Sequence, residues 1–328
     1  MKVFITGGGG FIGHRLARKL LERGTLVGPD GTPAQITEIK LFDAAFPPNP
    51  DPRLACVAGD IAAPGAIDAA LGADTASVFH LAAVVSAGAE SDFDLGYRVN
   101  LDGTRRVLER CRELERPPRV VFASSVAAFG GALPEVLDDA TTPNPQSSYG
   151  TQKVIGERLV ADYARKGFID GRSLRLPTIV VRPGKPNLAA SSFASSIIRE
   201  PLNGVASECP VPFSTGIWLL SPRRVVEAFI HAHELPSAAW GVDRVVNLPG
   251  ITVSVEEAVA ALRRIAGEAV AARVQHKLEP RIDAIVKTWP VRFRTPRALA
   301  MGFAVDPDIE TVIRDYARDE GIELRSGS

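Results

Sequence analysis

Cysteine is scarce in this chain. Three residues in 328 (Cys56, Cys111 and Cys209) are widely spaced and form no C-x-x-C pair. An odd, scattered set argues against a disulfide framework or a zinc site and suits a reducing cytoplasm, the expected location. Charge of one sign is lacking too. Lys plus Arg and Asp plus Glu number 38 each, so no overall field recruits nucleic acid or an acidic membrane. The expected partner is a small molecule. No apolar run reaches the roughly 18 residues a membrane span needs, and Met1 leads into "KVFIT" with no charged-then-apolar leader. Internal repeats and low-complexity segments are absent as well.

What is present is an ordinary globular composition, 45% apolar and 23% charged, in a length suited to one large domain or two modest ones. Short β-branched runs read as strands at 2–6, 36–42, 53–58, 77–82 and 119–124. Helix-length segments lie between most of them, at 11–23, 64–71 and roughly 91–115. Such alternation predicts right-handed βαβ units and a doubly wound, Rossmann-type parallel sheet. The strands are apolar on nearly every residue, as helices on both faces require. "GTLVGPDGTPAQ" (24–35) interrupts the pattern with turn chemistry and reads as a hairpin-like insertion. A helix at 148–167 and a strand at 172–181 continue the sheet. The expected division is a nucleotide-binding domain over 1–181 and a smaller C-terminal α/β substrate lobe over 182–328, some of whose segments can return to the sheet.

"ITGGGGFIG" (5–13) leaves the first strand and enters the first helix. Its glycines fit two spacings, Gly8/Gly10/Gly13 and Gly7/Gly10/Gly13. A dinucleotide pyrophosphate needs close backbone approach and the free amides of a helix N-terminus, here those of Phe11, Ile12 and Gly13. Glycine-rich turns also occur for backbone reasons alone. A ribose-binding acid is expected at the end of the second strand. Asp30 is nearer the usual offset but sits inside "GPDG"; Asp43 directly follows "ITEIKLF" and is the choice. Its carboxylate would accept from the ribose hydroxyls and repel a 2′-phosphate, favouring NAD over NADP. Asp60 and Ile61, after the third strand, are candidates for holding adenine.

"SSYGTQK" (147–153) places Tyr149 and Lys153 four apart on one helix face. A lysine beside a phenol makes it a stronger acid, and the phenolate can take a proton from a substrate hydroxyl. Tyr-x-x-x-Lys by itself is common surface decoration. Context adds weight, because Ser124 and Ser125 end the strand "RVVFAS" at the sheet edge where α/β enzymes bind ligands. Ser125 could orient the reacting oxygen or simply close a turn.

These segments together resemble the short-chain dehydrogenase/reductase superfamily in its extended branch. "TGGGGFIG" matches T-G-x-x-G-x-x-G, which selects Gly7, Gly10 and Gly13. "HLAAV" (80–84) is similar to the H-x-A-A segment beside the cofactor, which implies Ala82 and Ala83. "VNLDGT" (99–104) matches V-N-x-x-G-T and implies that Asn100 supports the active-site geometry. Ser125 with Tyr149 and Lys153 matches the branch's catalytic set, with Ser124 implied beside the cofactor, and "LRLPTIVVRPG" (174–184) implies Pro177 against the nicotinamide. Dehydratases of the branch carry an acid after the serine where this chain has Val126-Ala127. Nucleotide-sugar epimerases carry an acidic turn where it has Arg223-Arg224. Within the branch the chain is most similar to the D-erythronate dehydrogenases. That implies NAD-dependent oxidation of the C2 hydroxyl of D-erythronate to 2-dehydro-D-erythronate, and a homodimer through two long helices.

For a small sugar acid, the polar residues after the sixth strand are the candidate partners: Thr178, Arg182 and Asn187, with Lys185, Ser191 and Ser192 nearby. Ser86, after the fourth strand, faces the same edge. An epimerase with tightly held cofactor is the alternative function. A non-enzymatic NAD sensor is another, although it could dispense with Tyr149 and Lys153.

Overall fold

The computed structural model describes residues 1–48, 51–184 and 190–324. Two compact units form. The first comprises residues 1–128, 145–175 and 226–247, the second residues 129–144, 176–225 and 248–328.

A parallel sheet is the frame of the first unit. In chain order its strands are β1 (Lys2–Thr6), β4 (Glu38–Asp43), β5 (Ala55–Ala58), β6 (Thr75–His80), β7 (Arg119–Ser125), β8 (Asp170–Leu176) and β12 (Val245–Asn247). Their spatial order is β12-β8-β7-β6-β1-β4-β5. The order reverses between β1 and β6, so the crevice at their carboxyl ends is the switch point where doubly wound folds take ligands. β1 is buried from Val3 to Thr6, as is β6 from Ser77 to His80, because helices cover both faces. α1 (Phe11–Arg23) stops at Gly24, which takes a left-handed φ of 66° and returns its N–H to the Leu20 carbonyl at 3.0 Å. The insertion is the antiparallel hairpin of β2 (Thr25–Val27) and β3 (Pro33–Gln35).

Two expectations are corrected. The helix expected over 91–115 is broken into α3 (Ser86–Ser91), α4 (Phe93–Tyr97), a π-turn at Arg98–Asp102 and α5 (Gly103–Arg112). Before α3, the short α2 (Ala66–Ala70) covers the same sheet face. The strand expected over 172–181 ends at Leu176. After Pro177, β9 (Thr178–Ile179) pairs in another sheet.

The second unit holds that sheet, with β11 (Gly216–Leu220) between β9 and the antiparallel β13 (Ile251–Ser254). A separate parallel pair joins β10 (Ser207–Cys209) to β14 (Val274–His276). α7 (Ser192–Leu202) and helices Val255–Ala266 and Ile309–Asp319 supply an apolar core including Phe193, Ile197, Leu262 and Ile313. In the first unit α6 (Ser148–Arg165) follows β7 and carries the candidate catalytic pair.

Candidate active site

The glycine turn is crowded at most of its positions. Gly7 has φ of +72°, and a Cβ there would lie 2.7 Å from the Ala82 nitrogen. A Cβ on Gly13 would lie 2.2 Å from the Gly7 carbonyl oxygen. Gly7 is therefore held to glycine by its left-handed backbone and by Ala82, and Gly13 by the Gly7 carbonyl; Gly8 is crowded as well, a Cβ there lying 2.6 Å from Leu41 Cβ. At Gly10, the N-cap of α1, an added Cβ meets only Gly7 O, at 3.2 Å. No side chain caps this helix and its first turn holds no acid, so the amides of Phe11 and Ile12 face outward in a field that favours an anion.

Asp43 ends β4 beside this turn. Its carboxylate accepts from the Gly9 N–H at 3.0 Å and the Ala44 N–H at 2.7 Å. Asp30 accepts from the Thr32 N–H and hydroxyl inside the hairpin, which makes it a turn residue. Asp60 accepts from the Ala62 N–H at 2.9 Å and pairs with Arg98, a partner the sequence reading missed. These bonds hold the Asp60 carboxyl below its ordinary range, the Ala62 amide first. Ile61 is buried against Gly103.

Along β7, Ser124 and Ser125 point their hydroxyls to different uses. Ser125 accepts from the Ala127 N–H at 3.1 Å, the turn geometry, and keeps its own proton to donate. Ser124 is buried and donates to Glu157 at 2.5 Å, so its hydroxyl is committed to α6. α6 begins at the Ser147 cap, which accepts from the Gly150 N–H at 3.1 Å. Gly150 lies so close to the Ser125 loop that a Cβ would fall 2.1 Å from the Ala127 oxygen. That contact fixes the first turn of α6, which carries Tyr149, against the loop after Ser125.

Lys153 is buried one turn on. Its Nζ donates to the Ala123 carbonyl at 2.8 Å and sits 5.5 Å from the Tyr149 ring centre and 4.8 Å from that of Phe122. Burial pulls its pKa down to about 7, opposed by the Glu157 charge one further turn along. Glu157 is fully buried, and Arg175 of β8 grips it at 2.8 and 2.7 Å. The sequence reading missed both residues. Their signal was the continuation of the four-residue spacing, Tyr149, Lys153, Glu157, which on an exposed helix means nothing.

Asn100 is buried on the π-turn, a bulge of the kind that marks functional positions. It accepts from the Val84 N–H at 2.7 Å and donates to the Val84 carbonyl at 2.9 Å and to Gln152 of α6 at 2.7 Å. This holds the segment containing Ala82 and Ala83 against the helix of Tyr149. Ser86 opens α3, whose Glu90 accepts from the Ser148 N–H at 3.0 Å.

The first unit thus brings together Gly7, Gly10, Phe11, Ile12, Gly13, Asp43, Ala82, Asn100, Ser125, Tyr149 and Lys153 around the carboxyl edge of its sheet. Pro177, Thr178 and Arg182 belong to the second unit. There the Arg182 guanidinium donates to Ser191 at 3.1 Å, its N–H donates to Ser195 at 3.0 Å, and its carbonyl accepts from Arg199 at 2.7 Å. Asn187 and Lys185 lie outside the described residues. Among the described residues no group of metal-ligating side chains occurs, all three cysteines are free, and no helix is long and apolar enough to cross a membrane.

Residues 3–242 match the NAD dependent epimerase/dehydratase family. The chain belongs to it. Within this epimerase/dehydratase family, D-erythronate dehydrogenase of Cupriavidus necator is 56% identical over 98% of this chain and 99% of its own length. D-erythronate dehydrogenase of Haemophilus influenzae is 46% identical over 96% of this chain and 98% of its own. A crystal structure described as the nucleoside-diphosphate-sugar epimerase from Agrobacterium tumefaciens superposes with a TM-score of 0.92 at 39% identity, covering 98% of this chain and 95% of that one. The fold is Rossmann-type, as expected, and the chain is an oxidoreductase, a dehydrogenase of this family.

Proposed function

We propose that this chain oxidises D-erythronate at C2 to 2-dehydro-D-erythronate with NAD. What supports the reading is Lys153 on α6 bonded to the end of β7 and an uncapped glycine turn after β1 of the same sheet, in a chain 56% identical to a D-erythronate dehydrogenase over nearly its whole length. The residues present fit the cofactor. Gly7, Gly10 and Gly13 leave a cradle that a Cβ would fill, with the Phe11 and Ile12 amides for the pyrophosphate. Asp43 takes the ribose hydroxyls, and Asp60 and Ile61 the adenine. Ala82, Ala83, Asn100 and Ser124 would line the remainder. When bound, NAD accepts the hydride from the substrate carbon.

The chain's own groups handle the proton. Ser125 donates to the substrate C2 oxygen and orients it. Tyr149, one helical turn from Lys153, takes the hydroxyl proton. Lys153 holds the nicotinamide ribose as well. Ser86, Thr178, Arg182 and Asn187 are the proposed partners of the sugar-acid hydroxyls and carboxylate, Arg182 supplying the charge. A soluble cytoplasmic homodimer, pairing through helices that include α6, completes the reading.

Purified protein with D-erythronate and NAD is expected to generate NADH absorbance. Tyr149→Phe should lower kcat by about a hundredfold or more, the typical worth of a general base; full activity in that variant would sink the assignment. The epimerase reading is favoured by the name of the 39%-identical structure. It predicts an isomerised nucleotide sugar with no net NADH.

A further inference from the structure

His80 sits at the switch point between β1 and β6, fully buried. Its Nδ1 is 2.6 Å from the Thr6 hydroxyl and its Nε2 is 2.8 Å from the Thr104 hydroxyl. The neighbours settle which way each bond runs. Thr104 Oγ1 lies 2.6 Å from the Asn100 carbonyl oxygen, which can only accept. The Thr104 proton is spent there, so Thr104 accepts from His80 Nε2–H. Burial, reinforced by the Lys153 charge, pushes the imidazole pKa down to about 3, so the ring is neutral. Nδ1 is then an acceptor and receives the Thr6 hydroxyl. Thr6 in turn accepts from the Ala82 N–H at 3.2 Å.

One directed chain results. It runs from Ala82 N–H through Thr6 to one side of the ring, and from the other side through Thr104 to the Asn100 carbonyl. Its first end is the glycine turn, since Thr6 precedes Gly7, which packs on Ala82. Its second end is the π-turn whose Asn100 donates to Gln152, between Tyr149 and Lys153 on α6. Every member is satisfied, as a buried polar network must be to avoid a penalty.

We propose that His80 is a positioning residue that joins the cofactor turn to the catalytic helix, its Nδ1 side setting NAD affinity and its Nε2 side setting turnover. This rests on the reading above, in which the glycine turn takes NAD and Tyr149 is the base.

Two substitutions separate the sides. In His80→Asn the side-chain amide reaches the Nδ1 position and can still receive Thr6, but nothing reaches Thr104. In His80→Gln the amide nitrogen reaches the Nε2 position and can still donate to Thr104, but Thr6 loses its acceptor. NAD Kd, read by titrating intrinsic fluorescence without substrate, should be unchanged in the Asn variant and about tenfold weaker in the Gln variant. Turnover of D-erythronate should show the reverse, falling about tenfold in Asn and holding in Gln. Thr104→Val, nearly isosteric, should reproduce the Asn pattern if the histidine variants fold poorly. Equal changes in both parameters, or none, would overturn the proposal, as would His80→Phe with wild-type values. Wild-type protein that bound NAD but left D-erythronate unoxidised would remove only the substrate assignment, because the contrast in Kd still decides the role of His80. Failure to bind NAD at all would overturn both.

Discussion

Lys153 shows the cost of function at the scale of one residue. A buried ammonium that donates to a backbone carbonyl, here that of Ala123, is held at a stability penalty. Its pKa falls from 10.5 to about 7 on folding, so the unfolded chain binds the extra proton between those values and wild-type stability rises with pH across that window. Lys153→Met removes the penalty along with the charge. The variant should be inactive yet more stable than wild type by up to a few kcal/mol at pH 6–7. Its advantage should shrink as the pH is raised toward 10, read from paired thermal melts. Legibility at this scale followed chemistry that repeats locally. Tyr149 and Lys153 were visible from spacing, and Asp43 from its strand end. Glu157 and Arg175 were not, because a glutamate on a helix reads as solvated until the fold brings an arginine from β8 against it.

Among the elements, α6 does most to assemble the site, through its Ser147 cap, the Gly150 contact and the Lys153 bond to β7. Gly150→Ala would force α6 away from the Ser125 loop, since the Ala127 oxygen that the Cβ meets is backbone and cannot swing aside. Turnover should drop by up to about a hundredfold, because displacement of about 1 Å at reacting groups costs on that scale. NAD affinity should change little, a split that steady-state kinetics with varied NAD resolves. The strands β1, β6 and β7 were legible because burial on both faces makes them apolar throughout, and the β2–β3 hairpin because "GPDG" is turn chemistry. The break at Pro177 was not, since "LRLPTIVV" stays apolar across it while its two halves pair in different sheets. β12 escaped as well: three residues carry no periodicity, and pairing with β8 is set by distant chain.

For the whole molecule, the proposed function gives the glycine turn, Asp43 and Asp60 one shared ligand. A ligand that binds only the folded state stabilises it by mass action, about 2.7 kcal/mol at a hundredfold excess over Kd. NAD should therefore raise the melting temperature by several degrees. NADP at the same concentration should not, because the Asp43 carboxylate would meet its 2′-phosphate. Equal shifts from the two cofactors would show that Asp43 does not select.

The most direct test of the account follows the hydrogen at C2. With D-erythronate deuterated there and NAD, the deuterium should appear in the reduced nicotinamide, with NADH formed one-for-one with 2-dehydro-D-erythronate and a slowed hydride step. Deuterium retained in an isomerised product, or no reduced cofactor at all, would contradict it.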